Sequence, residues 1–318
     1  MRLAMMGSGG VGGYFGARLA HAGHDVTFIA RGRHLAAMRD RGLFIRSGSG
    51  DLHLSEPKVT DDPSTVAPVD AVVFAVKLWD TEDAARQILP LLAGGGVVIP
   101  FQNGVESMQR IGAIVGPERV VGGTAHIAAS IGEPGVIVHL GAMQRVRIGA
   151  PGGTVPPAVH ALVQALQKVG VDAEMAPDIE RALWEKFCFL GALAGMTAAT
   201  RQPIGVVRAD PDMRAAFEAA LREAWTLARN RGVALRDDYP EAQMHFADGL
   251  PHDMRASMLH DLVAGNRLEA PWLSGAVVRM AREAGIPTPV HATLYAAVKP
   301  YIGGVIAPAA PTRDGPST

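Results

Sequence analysis

Six residues near the amino terminus, Gly7-Ser8-Gly9-Gly10-Val11-Gly12, constrain this chain more than any other feature. They follow an apolar run from Arg2 to Met6 and lead into Val11 to Ala22, which is patterned as an amphipathic helix. A G-x-G-x-x-G spacing between strand and helix has a specific physical use. The first glycine permits a tight turn, the second lets the backbone approach a pyrophosphate, and the third lets helix and strand come close. The unpaired N–H groups at the helix start then face the phosphates. A glycine-rich turn of purely structural meaning is the competing reading of the same letters. The placement after a strand and before a helix favours a dinucleotide cradle made of Gly7, Ser8, Gly9, Gly10, Val11 and Gly12.

A chain of 318 residues accommodates two domains of ordinary size. Up to about residue 176, β-rich runs alternate with helical segments. Strands are expected at Arg2 to Met6, Asp25 to Ala30, Ala71 to Ala75, Gly96 to Pro100, Val120 to Thr124, Arg145 to Ile148 and Val171 to Glu174. Helices are expected at Val11 to Ala22, Thr81 to Leu92 and Pro156 to Val169. This alternation predicts an α/β domain over 1–176, with a parallel sheet and helices on both faces. Leu43 to Leu54 and Ile127 to Leu140 each hold a glycine turn between β-like runs and are read as antiparallel excursions. Beyond Pro177 strand signals fade, and 177–306 reads as an all-α domain. Ala215 to Arg231 is rich in helix formers, and Trp272, Leu273, Ala276, Val277, Met280, Ala281 and Ala284 recur at helical spacing. The final stretch, 307–318, has the Pro, Gly, Ser and Thr content of a disordered tail.

Residues after the expected strands refine the chemistry. An NAD site usually places an acidic residue at the end of the second strand, where it binds the ribose 2′-hydroxyl. Here that strand ends at Arg31, whose guanidinium suits the 2′-phosphate of NADPH; a solvated surface arginine is the plainer alternative. Lys77 and Asn103 fall just past two further strands, at the edge where open α/β sheets bind ligands, so both are candidate cofactor contacts; a surface cation and an Asn-Gly turn are the plainer readings. The net charge of −1 leaves no basic excess for nucleic acid or an anionic membrane, so a small molecule is the expected partner. One cysteine, Cys188, and no signal-peptide pattern suit a cytoplasmic protein. Its neighbours Phe187 and Phe189 make a buried, inert thiol the expectation. The apolar stretch from Phe187 to Ala199 is too short to span a bilayer. The histidines His245, His252 and His260 lack metal-ligand spacing, and no metal is expected.

Lys186 heads that apolar stretch, in Trp184-Glu185-Lys186-Phe187. By residue type alone it either snorkels to solvent or lies partly desolvated, where it becomes a better proton donor. Taken with Gly7 to Gly12, Arg31, Val76-Lys77, Gln102-Asn103-Gly104, Gly123-Thr124-Ala125-His126, Ser257-Met258-Leu259-His260-Asp261 and Glu269, it resembles the ketopantoate reductase family from Met1 to about residue 300. The resemblance implies a Rossmann-type domain followed by a helical domain of the 6-phosphogluconate-dehydrogenase C-terminal type. It implies NADPH-dependent reduction of a 2-oxo acid, 2-dehydropantoate, to pantoate, a step of pantothenate biosynthesis. Lys186 takes the place of the family's proton donor and Glu269 that of the carboxylate orienting substrate and lysine. Ser257 and Asn103 take the places of polar groups around the substrate. From residue type alone, Glu269 also reads as a helix N-terminal carboxylate, and Ser257 as an ordinary helix residue.

The chain departs from the family where Leu190, Ala194 and Ser274 replace asparagines. Amides lost near a substrate hydroxyl weaken its recognition, so a more apolar 2-oxo or hydroxy acid is the alternative substrate. An NADPH-sensing protein without turnover is the alternative of a different class. The helical domain is the candidate surface for a homodimer.

Overall fold

The structure, a computed structural model, describes residues 1–305; the tail expected at 307–318 lies outside the described residues. The chain divides into two compact units. The first holds Met1–Phe187 together with Gly232–Leu235, and the second holds Cys188–Arg231 and the described residues from Arg236 onward.

The first unit runs β1 (Arg2–Met6), α1 (Gly10–His21), β2 (Asp25–Ile29), α2 (Gly32–Arg41), β3 (Leu43–Ser47), β4 (Leu52–Leu54), β5 (Lys58–Thr60), β6 (Ala71–Phe74), α3 (Thr81–Gln87), β7 (Val97–Pro100), α4 (Ser107–Val115), β8 (Gly122–Glu133), β9 (Val136–Gly149), α5 (Pro157–Lys168) and β10 (Asp172–Met175). A last helix, α6 (Ile179–Thr200), carries the boundary between the units. The main sheet has the order β5-β2-β1-β6-β7, with every pairing parallel. Strands β1, β6 and β7 are apolar almost throughout because both their faces are covered. Leu3 and Met5 enter a core with Phe15, Phe28 and Ile99, while Ala4 and Met6 enter a second core with Phe74, Ala84, Leu92 and Ile111. Met6 pairs with Ile29 on one side and with Phe74 on the other, so three strands end level. The chain winds outward from β1 to β5 and returns beside β1 as β6. That reversal of winding at β1 is the topological switch point at which open sheets bind ligands.

The strands expected in one parallel sheet form two. The second sheet has the order β10-β9-β3-β4, and β8 pairs with β9 outside this path. Both excursions form antiparallel pairs, β3 with β4 and β8 with β9. The expected strands at Val120 to Thr124 and Arg145 to Ile148 are, from Gly122 onward, the base of the same long antiparallel β8–β9 hairpin, while Arg145 to Ile148 also pairs parallel with β10 and Val120 makes one parallel bridge to Val98 in β7. Register shifts between Ile127 and Ala128 and between Ile131 and Glu133 break the alternation of inward and outward residues, which splits one hairpin into several signals. Helix α3 stops at Gln87, and Leu89–Leu92 continues as a 3-10 turn because Pro90 has no N–H to extend the α-helix.

Strand signals end near residue 176, but the first unit continues to Phe187. The opening turns of α6 cluster with Ala176 through Ile179 and Ala182, and Ile179 lies against Gly149.

The second unit is helical throughout its described residues: α7 (Ile204–Ala209), α8 (Pro211–Asn230), α9 (Tyr239–Asp248), α10 (Ser257–Val263), α11 (Ser274–Glu283) and α12 (Pro289–Val298). Helix α8 buries Phe217, Ala220, Leu221, Ala224, Leu227 and Ala228, a three-four repeat that forms one apolar face. Its start is fixed by Asp210, which accepts the N–H groups of Asp212 and Met213. Glu223 in turn accepts the N–H groups of Val290 and His291 at the head of α12. The helical repeat expected from Trp272 begins later, at Ser274. Residues Ala270–Trp272 form a 3-10 turn, and Leu273 leaves helical geometry with φ −108° and ψ −103°. No helix among the described residues is long and apolar enough to cross a membrane.

Candidate active site

The glycine loop joins β1 to α1 at the switch point. Gly7 has φ +95°, and a Cβ there would lie 2.7 Å from the backbone of Ala75 and Val76, so the turn after β1 touches the turn after β6. At Gly12 a Cβ would lie 2.2 Å from the Gly7 carbonyl oxygen, and at Gly10 it would lie 2.0 Å from that of Ala129 in β8. Gly9 differs, because a Cβ there would meet nothing within 4 Å. No side chain caps α1 and its first turn holds no acidic residue, which leaves the positive end of the helix dipole for an external anion. These residues fit a pyrophosphate. Ser8 is buried and faces inward. Its N–H and its hydroxyl both donate to the Ile29 carbonyl, each at 3.0 Å, so Ser8 holds the loop and the outward donors begin at Gly9. Val11, half-buried, follows in the first turn of α1.

Arg31 follows β2 as the N-cap residue of α2. It is exposed, with Nη1 3.9 Å from Oδ2 of Asp80 in the turn after β6. Lys77 leaves β6 in extended geometry, with its ammonium 5.7 Å from the centre of the Trp79 ring. Between the turns after β6 and β7, Gln102 is buried and donates to the Val76 carbonyl at 3.0 Å and to Thr81 Oγ1 at 2.9 Å. That pair of bonds fixes the backbone on which the next residue, Asn103, is mounted.

Lys186 is brought to that residue. Its Nζ donates to Asn103 Oδ1 at 3.0 Å, joining positions 83 apart in the chain. The ammonium therefore has a defined place at the edge of the sheet and is not splayed into solvent. Around it Trp184 and Phe187 are buried and meet edge to face at 5.3 Å. His126 in β8 is half-buried, and its pKa is pushed down to about 3 by burial first, then by the charges of Lys186, Arg147 and Arg145. It is neutral at physiological pH and adds no second positive charge beside the lysine.

In the second unit, Glu269 is buried at the head of the Ala270–Trp272 turn, where its carbonyl accepts the Trp272 N–H at 3.0 Å. Ser257 is exposed as the first residue of α10. Of the positions where asparagines are replaced, Ala194 and Ser274 are buried and Leu190 is half-buried. A Cβ on Gly195 would come within 2.9 Å of Ser274 Oγ, so a small residue on α6 makes room for this side chain. Cys188 is buried and forms no disulfide. Among the described residues, no group of three or more His, Cys, Asp or Glu side chains is arranged to hold a metal ion.

Three contributors were not singled out from sequence. Gln102 stands beside Asn103 in the quoted motif, and its burial was the missing signal. Asp80 matters only through its distance to Arg31. His34 lies one turn into α2, with Nε2 2.9 Å from the Ser8 carbonyl oxygen and Nδ1 3.0 Å from the Gly135 nitrogen. Its bond to a turn 101 residues later is invisible to local pattern.

Comparison with known proteins agrees with this architecture. Residues 3–153 match the family described as ketopantoate reductase PanE/ApbA, and residues 178–301 match ketopantoate reductase PanE/ApbA C terminal. The chain is 31% identical over 295 residues to a 2-dehydropantoate 2-reductase of Halobacterium salinarum, covering 92% of this chain and 96% of that one. It is 29% identical over 301 residues to the uncharacterized oxidoreductase YkpB of Bacillus subtilis, covering 95% and 99%. Among solved structures, a PanE/ApbA family ketopantoate reductase from Ralstonia eutropha superposes with a TM-score of 0.86 at 32% identity, covering 95% of this chain and 98% of that one. With matches of this extent over both halves, the chain belongs to the ketopantoate reductase family and is an oxidoreductase acting on a CH–OH group.

Proposed function

We propose that the protein reduces 2-dehydropantoate to pantoate with NADPH, and the observation that carries this reading is the Lys186–Asn103 hydrogen bond at 3.0 Å. Bound NADPH supplies a hydride to the C2 carbonyl. Negative charge then develops on the carbonyl oxygen, and the Lys186 ammonium stabilises it and delivers the proton. Asn103 suits this role because its amide oxygen accepts from the ammonium and so orients it. His126, held neutral, does not compete with Lys186 for the developing alkoxide. Gly7, Gly9, Gly10, Val11 and Gly12 hold the pyrophosphate, with Ser8 as the inward anchor of the loop. Arg31 holds the 2′-phosphate, exchanging its long contact with Asp80 for charge-assisted bonds to the phosphate. Lys77 lies at the same edge as a further cofactor contact. Glu269 and Ser257 of the second unit serve the substrate, Glu269 by orienting it and Ser257 by binding its polar groups.

Family membership replaces the reading as a sensor without turnover. A second substrate reading is favoured by Leu190, Ala194 and Ser274, which put apolar or short side chains where amides would recognise a hydroxyl. Absorbance assays of NADPH oxidation against a panel of 2-oxo acids separate the two. The proposal expects the highest kcat/KM for 2-dehydropantoate. A preference of about a hundredfold or more for an analogue without its hydroxyl selects the more apolar acid instead.

A further inference from the structure

We propose that His34 is a positioning residue for the phosphate cradle: by holding the Ser8 carbonyl it turns the Gly9 N–H toward the ligand. The proposal rests on the reading of the loop as a dinucleotide site. Its first support is the proton placement in the ring. The Gly135 N–H is a donor, so the Nδ1 that meets it at 3.0 Å must be the unprotonated acceptor. The neutral ring then carries its hydrogen on Nε2, which donates to the Ser8 carbonyl at 2.9 Å. Burial holds the pKa of His34 below the ordinary histidine value, in keeping with that neutral form.

The second support is peptide geometry. In a planar trans peptide the C=O of one residue and the N–H of the next point in opposite directions. Fixing the Ser8 carbonyl on His34 therefore fixes the direction of the Gly9 N–H, away from α2. The Ser8 N–H and hydroxyl are both committed to the Ile29 carbonyl, so the other side of Ser8 is anchored as well. What the two anchors leave adjustable is small, and the donor they aim belongs to the loop glycine that borders open space. A third support is the partner at the far side of the ring. Gly135 has φ +83°, and an added Cβ would sit 3.1 Å from Ala37 Cβ, so the β8–β9 turn is seated on α2 in one arrangement. His34 also shares the first turns of α2 with Arg31, so one histidine ties the pyrophosphate loop to the helix that presents the 2′-phosphate residue.

Two near-conservative variants divide the ring's functions. In His34→Gln the side-chain amide reaches the Nε2 position and can still donate to Ser8. In His34→Asn it reaches only the Nδ1 position and can still accept from Gly135. NADPH dissociation constants by fluorescence titration, melting temperatures by circular dichroism and kcat at saturating NADPH are measured for both and for His34→Ala. Loss of one hydrogen bond that aims a phosphate donor predicts about a tenfold weaker NADPH dissociation constant in His34→Asn, with His34→Gln within about threefold of wild type. The kcat at saturation stays within about twofold in both, as expected for lost ground-state binding. Equal weakening by Gln and Asn, or affinity losses that simply follow melting temperature, overturns the proposal; if His34→Ala fails to fold, the Gln and Asn pair still decides. Wild-type protein that binds no NADPH brings down the dinucleotide reading and this inference together, whereas tight wild-type binding with an unaltered His34→Asn removes only the role of His34.

Discussion

The glycine cradle and the Lys186–Asn103 pair stand at the same edge of the first unit, yet they are assembled in opposite ways. The cradle is local: six consecutive residues supply the turn, the close approach and the helix start. The pair is non-local, joining the turn after β7 to a helix that begins beyond β10. Function follows the same division. In the proposed function the cradle binds through backbone groups, which is why four of its six residues are glycine, while the pair acts through two side chains whose identities carry the chemistry. Binding is therefore expected to be sensitive to shape at one end, and turnover to residue type at the other.

That contrast breaks most sharply at the lysine. Lys186→Ala is expected to lower kcat by about 10²–10⁴-fold with the NADPH dissociation constant nearly unchanged, read by steady-state kinetics beside a titration. A parallel loss of affinity would merge the two regions into one. Next comes a contrast inside the cradle. Gly12→Ala places a Cβ 2.2 Å from a backbone oxygen and should cost about 1–3 kcal/mol of stability, seen as a lower melting temperature. Gly9→Ala meets no protein atom and should melt like wild type while weakening NADPH about tenfold or more, because its methyl occupies the phosphate's approach. Arg31→Ala is expected to weaken NADPH about tenfold more than NADH; equal losses would detach Arg31 from the 2′-phosphate.

The smallest effect concerns pH. His126 has a folded pKa of about 3, below its unfolded value near 6.5, so the unfolded chain binds more protons between those limits. Its contribution to stability is complete above pH 6.5 and is lost as pH falls toward 3. His126→Gln should therefore flatten the decline of melting temperature with acid, measured from pH 7 to pH 4. His34, also lowered by burial, contributes in the same direction.

Much of this was legible in the chain because it is encoded nearby. The glycine spacing, the apolar strands β1, β6 and β7, and the helical face of α8 are each patterns over a few turns. Lys186 and Asn103 were legible as strand-edge and helix-head residues, but their hydrogen bond was not, since 83 intervening residues decide it. Ser8 illustrates a different limit: its membership of the motif is plain, yet which way its hydroxyl points depends on the Ile29 carbonyl at the end of β2. The long β8–β9 hairpin was read in fragments because its register shifts interrupt the two-residue period on which strand recognition depends. Strand signals stop near residue 176, whereas the packing of Ile179 and Ala182 keeps the start of α6 with the first unit.

The hairpin has one more consequence. Ala129 abuts Gly10 and Gly135 meets His34, so two points six residues apart along the β8–β9 hairpin press on the glycine loop and on α2. The tip thus acts as a caliper, touching the glycine loop with one jaw and α2 with the other. If the glycine loop binds the nucleotide as proposed, inserting or deleting a single residue there is expected to change nucleotide affinity, which makes this loop, remote in sequence from the glycine motif, a place to engineer coenzyme use.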